Sequence, residues 1–192
     1  VLNYLHGGTA WDADIVVENK SARLVINSDL QGLGSSLPLP FAKRANELMP
    51  LRFGKKDTAK GQDLITARLG SLLNARLDRR VNNVAMFIRR GTVNFGGQDK
   101  PADNSKEQKR PSGTGLAAKQ PRNWSGIWLA GSLPELSIQG WDGLMGGPAK
   151  SSMAFPIAGA NLHIEKLTGY GQIVHSLQID ATRRGDGLAA RL

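Results

Sequence analysis

The chain contains no cysteine, and this absence excludes several kinds of chemistry. Disulfide scaffolds, thiolate zinc sites and cysteine nucleophiles all require that side chain, although its absence assigns no redox compartment. Long apolar runs are lacking too, since the uncharged stretch Ser151–Leu162 is short and includes a proline and a glycine. A membrane-spanning helix needs about 20 apolar residues, so we expect none within this sequence.

Acidic residues are in the minority, with 16 Asp and Glu against 25 Lys and Arg, which leaves a formal net charge of +9. This balance favours an anionic partner, either a nucleic acid or an anionic membrane surface. A platform for stacking bases would need aromatic side chains among the cations, and aromatic residues make up only 6% of the chain. We therefore keep nucleic-acid binding only as an alternative function. The cations occur in adjacent pairs: Lys43-Arg44, Lys55-Lys56, Arg79-Arg80, Arg89-Arg90 and Arg183-Arg184.

Motifs that would indicate an enzyme are also lacking. Gly113–Ala118 matches the loose spacing of a dinucleotide fingerprint, but Gln108–Ser112 before it does not have the pattern of a strand, so a loop is the better interpretation. The histidines His6, His163 and His175 are dispersed, although the last two would meet if their strands were neighbours. We expect no catalytic residue, no metal site and no cofactor.

Alternation of apolar and polar residues predicts a mainly β fold. We predict one extended, twisted antiparallel sheet, with a hairpin across Gly70-Ser71 and with burial on both faces of Val84–Arg89. One or two short helices are expected, at Phe41–Leu48 and at Leu133–Leu136 running into Ile138–Leu144. The predicted strands are Asp14–Val17, Arg23–Leu30, Leu64–Leu69, Asn74–Asp78, Val84–Arg89, Trp124–Leu133, Asn161–Leu167 and Ile173–Ala181.

The segment from residue 98 to residue 122 differs from the rest, because Leu116 is its only large apolar side chain. Such a composition cannot offset its ordering entropy, so we predict a mobile polar loop. Residues 1–97 then form one β-sheet segment and residues 123–192 continue the same sheet; a boundary between independent domains is the alternative. The sequence begins without methionine and ends within a strand-like alternation, which we interpret as an internal piece of a longer protein.

Two groups of strands carry apolar faces with a period of two, and these faces are the candidate functional surface. One interpretation is the closed core of a β-sandwich, and the other is the lining of an open groove. The pattern alone favours the closed core. The candidate residues are Leu24, Ile26, Leu30, Leu162, Ile164, Leu177 and Ile179.

Three stretches resemble a known family. Arg23–Lys43 resembles the strand-and-loop segment "SDLxGLxSxLPxPxxK" of the YhdP proteins, and Leu48–Arg52 follows at the family's distance. Leu129–Leu136 with Gly140-Trp141 is similar to the pattern "xGxLPxLxxxxW", and Leu162–Leu192 is similar to a pair of strands near "LxIxAxRxxxG". The resemblance covers most of the chain, except for the insert from residue 98 to residue 122.

The resemblance implies an AsmA-like protein of the Gram-negative envelope, whose periplasmic β-sheet forms an open apolar groove. An inner-membrane anchor would lie outside this sequence, and the partners would be phospholipid acyl chains and the rest of the parent chain. The implied function is to conduct phospholipid between the inner and outer membranes, with no covalent bond made or broken. The resemblance thus favours the groove over the closed core, and it makes the seven candidate residues lipid contacts.

Overall fold

A computed structural model describes residues 2–19, 21–81, 86–96, 124–141, 157–184 and 187–191. Apart from one turn of 3-10 helix at Leu2–Tyr4, the regular elements in these ranges are all strands. The mainly β prediction is therefore confirmed. The strands are β1 (Leu5–Gly7), β2 (Asp12–Glu18), β3 (Ser21–Ser28), β4 (Leu33–Ser35), β5 (Leu51–Ala59), β6 (Gln62–Leu69), β7 (Leu73–Val81), β8 (Met86–Phe95), β9 (Gly126–Ser137), β10 (Ile157–Gly169), β11 (Gln172–Arg184) and β12 (Gly187–Arg191).

Ten strands form one extended sheet in the order β12-β11-β10-β9-β8-β7-β6-β5-β3-β2, while β1 and β4 pair separately. An antiparallel arrangement throughout was the wrong expectation, because β8–β9 and β9–β10 are parallel. Parallel neighbours need a crossover connection of about a dozen residues or more. The chain has that length at both places, between Phe95 and Gly126 and between Ser137 and Ile157. The predicted loop from residue 98 to residue 122 lies outside the described residues.

The predicted strands are present in the described residues, but their first and last residues differ from those predicted. The hairpin across Gly70-Ser71 is confirmed, since β6 and β7 are antiparallel and pair Leu69 with Leu73. In Val84–Arg89 the described strand begins at Met86, and Phe87 is 43% exposed. Burial on both faces is therefore wrong at Phe87. The reason is that Phe87 lies on a solvated part of the sheet, next to the exposed Arg80 of β7.

Both helix predictions are wrong where the structure describes them. Leu133 lies in β9 and is 2% exposed, paired with Ile164 of β10, because burial in the sheet outweighs the local preference of a Leu-Pro-Glu turn. In Phe41–Leu48, Lys43 exchanges two backbone hydrogen bonds with Ser35, at 2.8 and 2.9 Å. These bonds occupy the N–H and carbonyl groups of Lys43, which a helix would need for its own hydrogen bonds. Residues 142–144 of the expected second turn lie outside the described ranges.

The segment between β3 and β5, residues 29–50, includes the short strand β4 and reaches across the end of the sheet, and we name it the bridging loop. Leu39 O accepts a hydrogen bond from Ser137 N at 3.2 Å, and the Phe41 ring meets Trp141 edge to face with 5.8 Å between centroids. Because β5 to β8 lie between β3 and β9 in the sheet, the bridging loop spans the ends of those four strands.

A buried lysine holds the bridging loop together. Lys43 Nζ donates to Leu30 O and Leu33 O at 2.8 Å and to Arg44 O at 3.0 Å. Gly32 has φ +89°, and a Cβ there would overlap the carbonyl oxygen of Gly8. The Arg23–Lys43 segment that carries the resemblance thus encodes a loop of defined conformation.

Candidate functional site

Paired residues of neighbouring strands point to the same face of a sheet, so the register sorts the side chains into two faces. One row of side chains on one face, the central row, is apolar in all ten strands of the sheet. At about 4.8 Å for each step between strands, the central row is about 43 Å long. From β2 to β12 its members are Ala13, Ile26, Phe53, Ala67, Ala75, Val93, Leu129, Ala160, Ala181 and Ala190.

Rows on either side of the central row widen it into a surface that we name the apolar band. The upper row lies nearer the bridging loop and the lower row lies on the opposite side. Because same-face residues along a strand are about 6.6 Å apart, the three rows cover about 13 Å. The upper row is Ser28, Leu51, Leu69, Leu73, Phe95, Gly131, Leu162 and Ile179, and the lower row is Ile15, Leu24, Lys55, Ile65, Leu77, Gly91 and Ile127.

Six of the seven candidate residues lie on this face. Ile26 is in the central row, and Ile164 pairs with Leu177 just above the upper row. Leu30 is the exception, because β3 ends at Ser28 and Leu30 has φ +52° in the turn that follows. The apolar surface therefore runs across the strands, whereas the sequence pattern shows only its short rows along single strands. The remaining candidates on this face are Leu24, Leu162 and Ile179.

An ion cluster lies at the lower border of the apolar band on β5, β6 and β7, and one of its members, Lys55, belongs to the lower row itself. Arg79 Nε donates to Asp63 Oδ1 at 2.8 Å, and a second guanidinium nitrogen bonds the other oxygen of the same carboxylate. Lys55 Nζ bonds Asp57 Oδ1 at 2.9 Å and lies 3.6 Å from Asp63 Oδ2. Asp57 also accepts from Ala22 N at 3.0 Å, so the cluster ties β3 to β5.

These contacts explain the direction of each pKa shift in the cluster. The hydrogen bonds from Arg79 hold the pKa of Asp63 below its ordinary value, although burial opposes them. The bond from Lys55 lowers the pKa of Asp57, and the same bond raises the pKa of Lys55. The cluster is therefore ionised and electrically balanced at neutral pH. Sequence reasoning missed it, because only the register brings Arg79 next to Asp63.

The opposite face, which we name the polar face, is basic in its middle strands. Arg90 stacks on the Trp124 ring with 5.1 Å to its centroid, and Asp78 lies 3.6 Å from Arg89. Residues adjacent along a strand point to opposite faces, so the pair Lys55-Lys56 is divided between the two faces, and so is Arg79-Arg80. The cations on the polar face of β3 to β8 include Arg23, Arg52, Lys56, Arg68, Arg76, Arg80 and Arg90.

A cavity of about 890 Å³ opens where β2, β3, β5 and β6 end beside the bridging loop. The Asn27 side chain links two other residues of this cavity. The Asn27 Nδ2 donates to Asp12 Oδ2 at 2.8 Å, and the Asn27 Oδ1 accepts from Arg52 Nη1 at 2.9 Å. We name this cavity the arginine cavity. Its lining residues are Ala10, Trp11, Asp12, Asn27, Ser28, Asp29, Pro50, Leu51, Arg52, Arg68, Gly70 and Ser71.

The histidines do not come together. β10 and β11 are neighbours, but His163 pairs with Gln178 and His175 pairs with Lys166, which places the two rings on opposite faces. Among the described residues, no group of three or more His, Asp or Glu is arranged to hold a metal ion. Within the same ranges there is also no helix of sufficient length and hydropathy to span a bilayer.

Comparison with known proteins gives one match. A family model described as YhdP protein matches residues 1–192, which is the whole sequence. Neither a curated protein nor a solved structure matches the chain.

Proposed function

Because the chain belongs to the YhdP family of bacterial envelope proteins, we propose that its apolar band conducts phospholipid acyl chains through the periplasm between the inner and outer membranes. The observation that carries the proposal is the central row, which is apolar in every strand of the ten-stranded sheet. A path that crosses strands has no fixed length, since each added strand extends it by about 4.8 Å.

The proposed mechanism is physical. Each methylene group that leaves water for the apolar band is stabilised by about 0.8 kcal/mol, so an acyl chain gains from staying on it. Since the central row is apolar in every strand, movement along it does not carry an acyl chain across a polar position of that row. The head group stays in water at a border, and no bond is made or broken. We therefore assign no catalytic residue.

The proposal includes partners outside this sequence. The rest of the parent chain would extend the sheet at its β2 and β12 edges, because an edge strand presents unpaired backbone groups to an added strand. A membrane anchor would lie in that remaining part. Both belong to the proposal, and so does the periplasmic side of the inner membrane as the location.

The test is lipid extraction and mass spectrometry of the purified chain, with Ile26→Asp compared with Val25→Asp. Ile26 is half-buried in the central row, whereas Val25 is half-buried at the next position on the polar face. We expect Ile26→Asp to reduce bound phospholipid at least fivefold with a modest loss of melting temperature, because the carboxylate can reach water. Val25→Asp should retain the lipid. Ile179→Asp in the upper row should behave as Ile26→Asp does.

The proposal would be contradicted by the absence of phospholipid from the wild-type chain, or by equal lipid loss in Ile26→Asp and Val25→Asp. Unfolding of both Ile26→Asp and Ile179→Asp would also count against it, because burial of an unpaired charge costs that much only in a closed core. Thermal melting by circular dichroism, measured on the same samples, separates loss of lipid from loss of fold.

The basic polar face supports a second candidate, a module that binds nucleic acid or another anionic partner. Arg23 of β3 faces Lys56 of β5 directly, and such cation pairs favour polyanions. Salt separates the two functions. Nucleic-acid binding weakens steeply as salt rises because counterions are released, whereas retention of acyl chains changes little or strengthens. A tight, salt-sensitive complex with RNA or DNA in a chain without lipid would favour this candidate.

A further inference from the structure

Two arginines on the polar face stand directly opposite each other. Arg52 of β5 pairs with Arg68 of β6, and Cβ atoms of directly paired residues are about 4.5–5.5 Å apart. Like charges in this position repel and destabilise the strand pair. An anion between the two guanidinium groups would interact favourably with both of them.

The two side chains line the arginine cavity, whose volume of about 890 Å³ is within the usual range for small-molecule sites. Arg52 is oriented by the Asn27 amide, which accepts from one terminal nitrogen at 2.9 Å. A guanidinium carries five N–H donors, so Arg52 has others for a ligand. Trp11, at the same cavity, is 66% exposed and offers an aromatic surface to an organic group.

Two carboxylates also line the arginine cavity, and each has a local hydrogen bond. Asp12 Oδ2 accepts from Asn27 Nδ2 at 2.8 Å, and Asp29 Oδ1 accepts from Gln31 N at 2.9 Å. They reduce the positive potential of the cavity and add acceptors that suit an ammonium group. The chemistry therefore fits an organic phosphate that also carries a cation better than it fits a simple dianion.

We propose that the arginine cavity binds a phosphate group between Arg52 and Arg68, with Trp11 against the organic part of the ligand. The guanidinium fork matches phosphate oxygens in bidentate geometry, and charge-assisted hydrogen bonds of this kind are about twice as strong as neutral ones. Two sources offer this chemistry, the head group of a phospholipid and a free phosphate. Arg52 and Arg68 lie on the face opposite the apolar band, although Ser28 and Leu51 of the upper row also line the cavity, so the phosphate site does not require lipid conduction.

The test is titration of the chain with glycerophosphoethanolamine, which is a phospholipid head group without acyl chains, and separately with inorganic phosphate. Intrinsic tryptophan fluorescence is the readout, and Trp11→Phe shows whether the signal comes from the cavity. We expect Arg52→Gln and Arg68→Gln each to raise Kd at least tenfold. Arg76→Gln and Arg80→Gln remove the same charge from the same face outside the cavity, and they should change Kd less than twofold.

The two ligands distinguish the sources. Binding of glycerophosphoethanolamine at least tenfold tighter than inorganic phosphate identifies a head-group site, and equal binding identifies a site for phosphate itself. Arg52→Lys keeps the charge but removes the fork, so it should give an intermediate Kd even if Arg52→Gln fails to fold. No binding of either ligand into the millimolar range, or equal weakening by all four arginine variants, would overturn the proposal.

Discussion

The two regions of the apolar face have the same alternation but very different exposure. On β9, β10 and β11, Leu133 is 2% exposed and Ile164 is fully buried, with Ala160 and Ala181 buried beside them. On β2, Ile15 is 70% exposed and Val17 is 69% exposed. Between these limits, the side chains of β3 to β7 on this face are mostly half-buried. One continuous surface is thus a closed core at one place and an open face at the other.

This difference shows why the choice between a closed core and an open groove has no single answer for the chain. Complete burial of Ile164 stabilises the fold, since burying such a side chain is worth about 1.5–3 kcal/mol. The exposed Ile15 contributes little in that way. Exposed apolar residues in a continuous row are instead typical of a surface that binds an apolar partner. We therefore expect stability to depend mainly on the buried residues of β9–β11, and ligand contact to depend mainly on the half-buried and exposed residues of this face, Ile179 of β11 among them.

The largest effect is expected from an aspartate introduced into the closed region. Ile164→Asp buries an unpaired charge and should destabilise the chain by more than about 4 kcal/mol, which would abolish a cooperative melt. The same change in the open region, Ile15→Asp, should shift the free energy of unfolding by less than about 0.5 kcal/mol. Denaturant unfolding followed by circular dichroism measures both.

Ile164→Val serves as the control, because it removes one methylene without adding charge and should cost about 1 kcal/mol. If Ile15→Asp unfolds the chain as Ile164→Asp does, the apolar face is closed along its whole length. If neither variant loses stability, the burial of Ile164 is not what holds β9 to β11 together.

A smaller effect is expected at the ion cluster, which borders the half-buried region. Asp63→Asn leaves Arg79 without its carboxylate and should cost about 2 to 3 kcal/mol at neutral pH. Because the pKa of Asp63 is lowered in the folded chain, its contribution is complete above the unfolded-state pKa of about 3.9 and is lost as pH falls through the folded value. The stability difference between wild type and Asp63→Asn should therefore shrink below about pH 4.

Asp78→Asn is the matched control, because Asp78 faces Arg89 at 3.6 Å in an exposed pair. Such pairs contribute about 0–1 kcal/mol, so this variant should stay close to wild type at every pH. Urea unfolding at a series of pH values gives the comparison. A difference between wild type and Asp63→Asn that grows on acidification would show that the ionised carboxylate does not stabilise the fold.

The fold class could be predicted from the sequence because period-two patterns are local. The predicted strand Arg23–Leu30 overlaps most of β3, which begins two residues earlier, at Ser21, and ends at Ser28 before the turn that contains Leu30. β5 was missed for a physical reason: Lys55 and Asp57 occupy positions where an alternating strand would show apolar residues. Those charges are tolerated because Asp63 and Arg79, from other strands, complete the ion cluster. A single-strand pattern contains no information about that compensation.

The candidate surface was only partly predictable. Ile26 and Ile179 could be assigned to apolar faces within their own strands, but the central row is a property of register across ten strands. The arginine cavity was missed for the same reason, since Arg52 and Arg68 meet only through the pairing of β5 with β6. The adjacent cations in the sequence suggested clusters of positive charge. Adjacent residues of a strand point to opposite faces, however, so Arg79 and Arg80 are separated.

The smallest effect compares two glycines on the polar face, Gly159 in β10 and Gly54 in β5. A Cβ on Gly159 of β10 would overlap the Trp128 ring and lie 2.7 Å from Ala181 O, where neither backbone nor a buried indole can move easily. On Gly54 of β5 it would meet one flexible atom, Thr66 Oγ1, at 2.7 Å.

Gly159→Ala should therefore cost about 1–3 kcal/mol through overpacking. Gly54→Ala should be nearly neutral, because a small clash is offset by the lower entropy of the unfolded chain, which is worth about 0.4–1 kcal/mol. Thermal melts of the two variants at one pH provide the measurement, and Trp128 fluorescence reports whether the ring has shifted in Gly159→Ala. Since the Trp128 indole donates to Asn161 Oδ1 at 2.9 Å, a shifted ring would also loosen that bond. Equal melting temperatures for Gly159→Ala and Gly54→Ala would mean that the polar face tolerates repacking as easily on β10 as on β5.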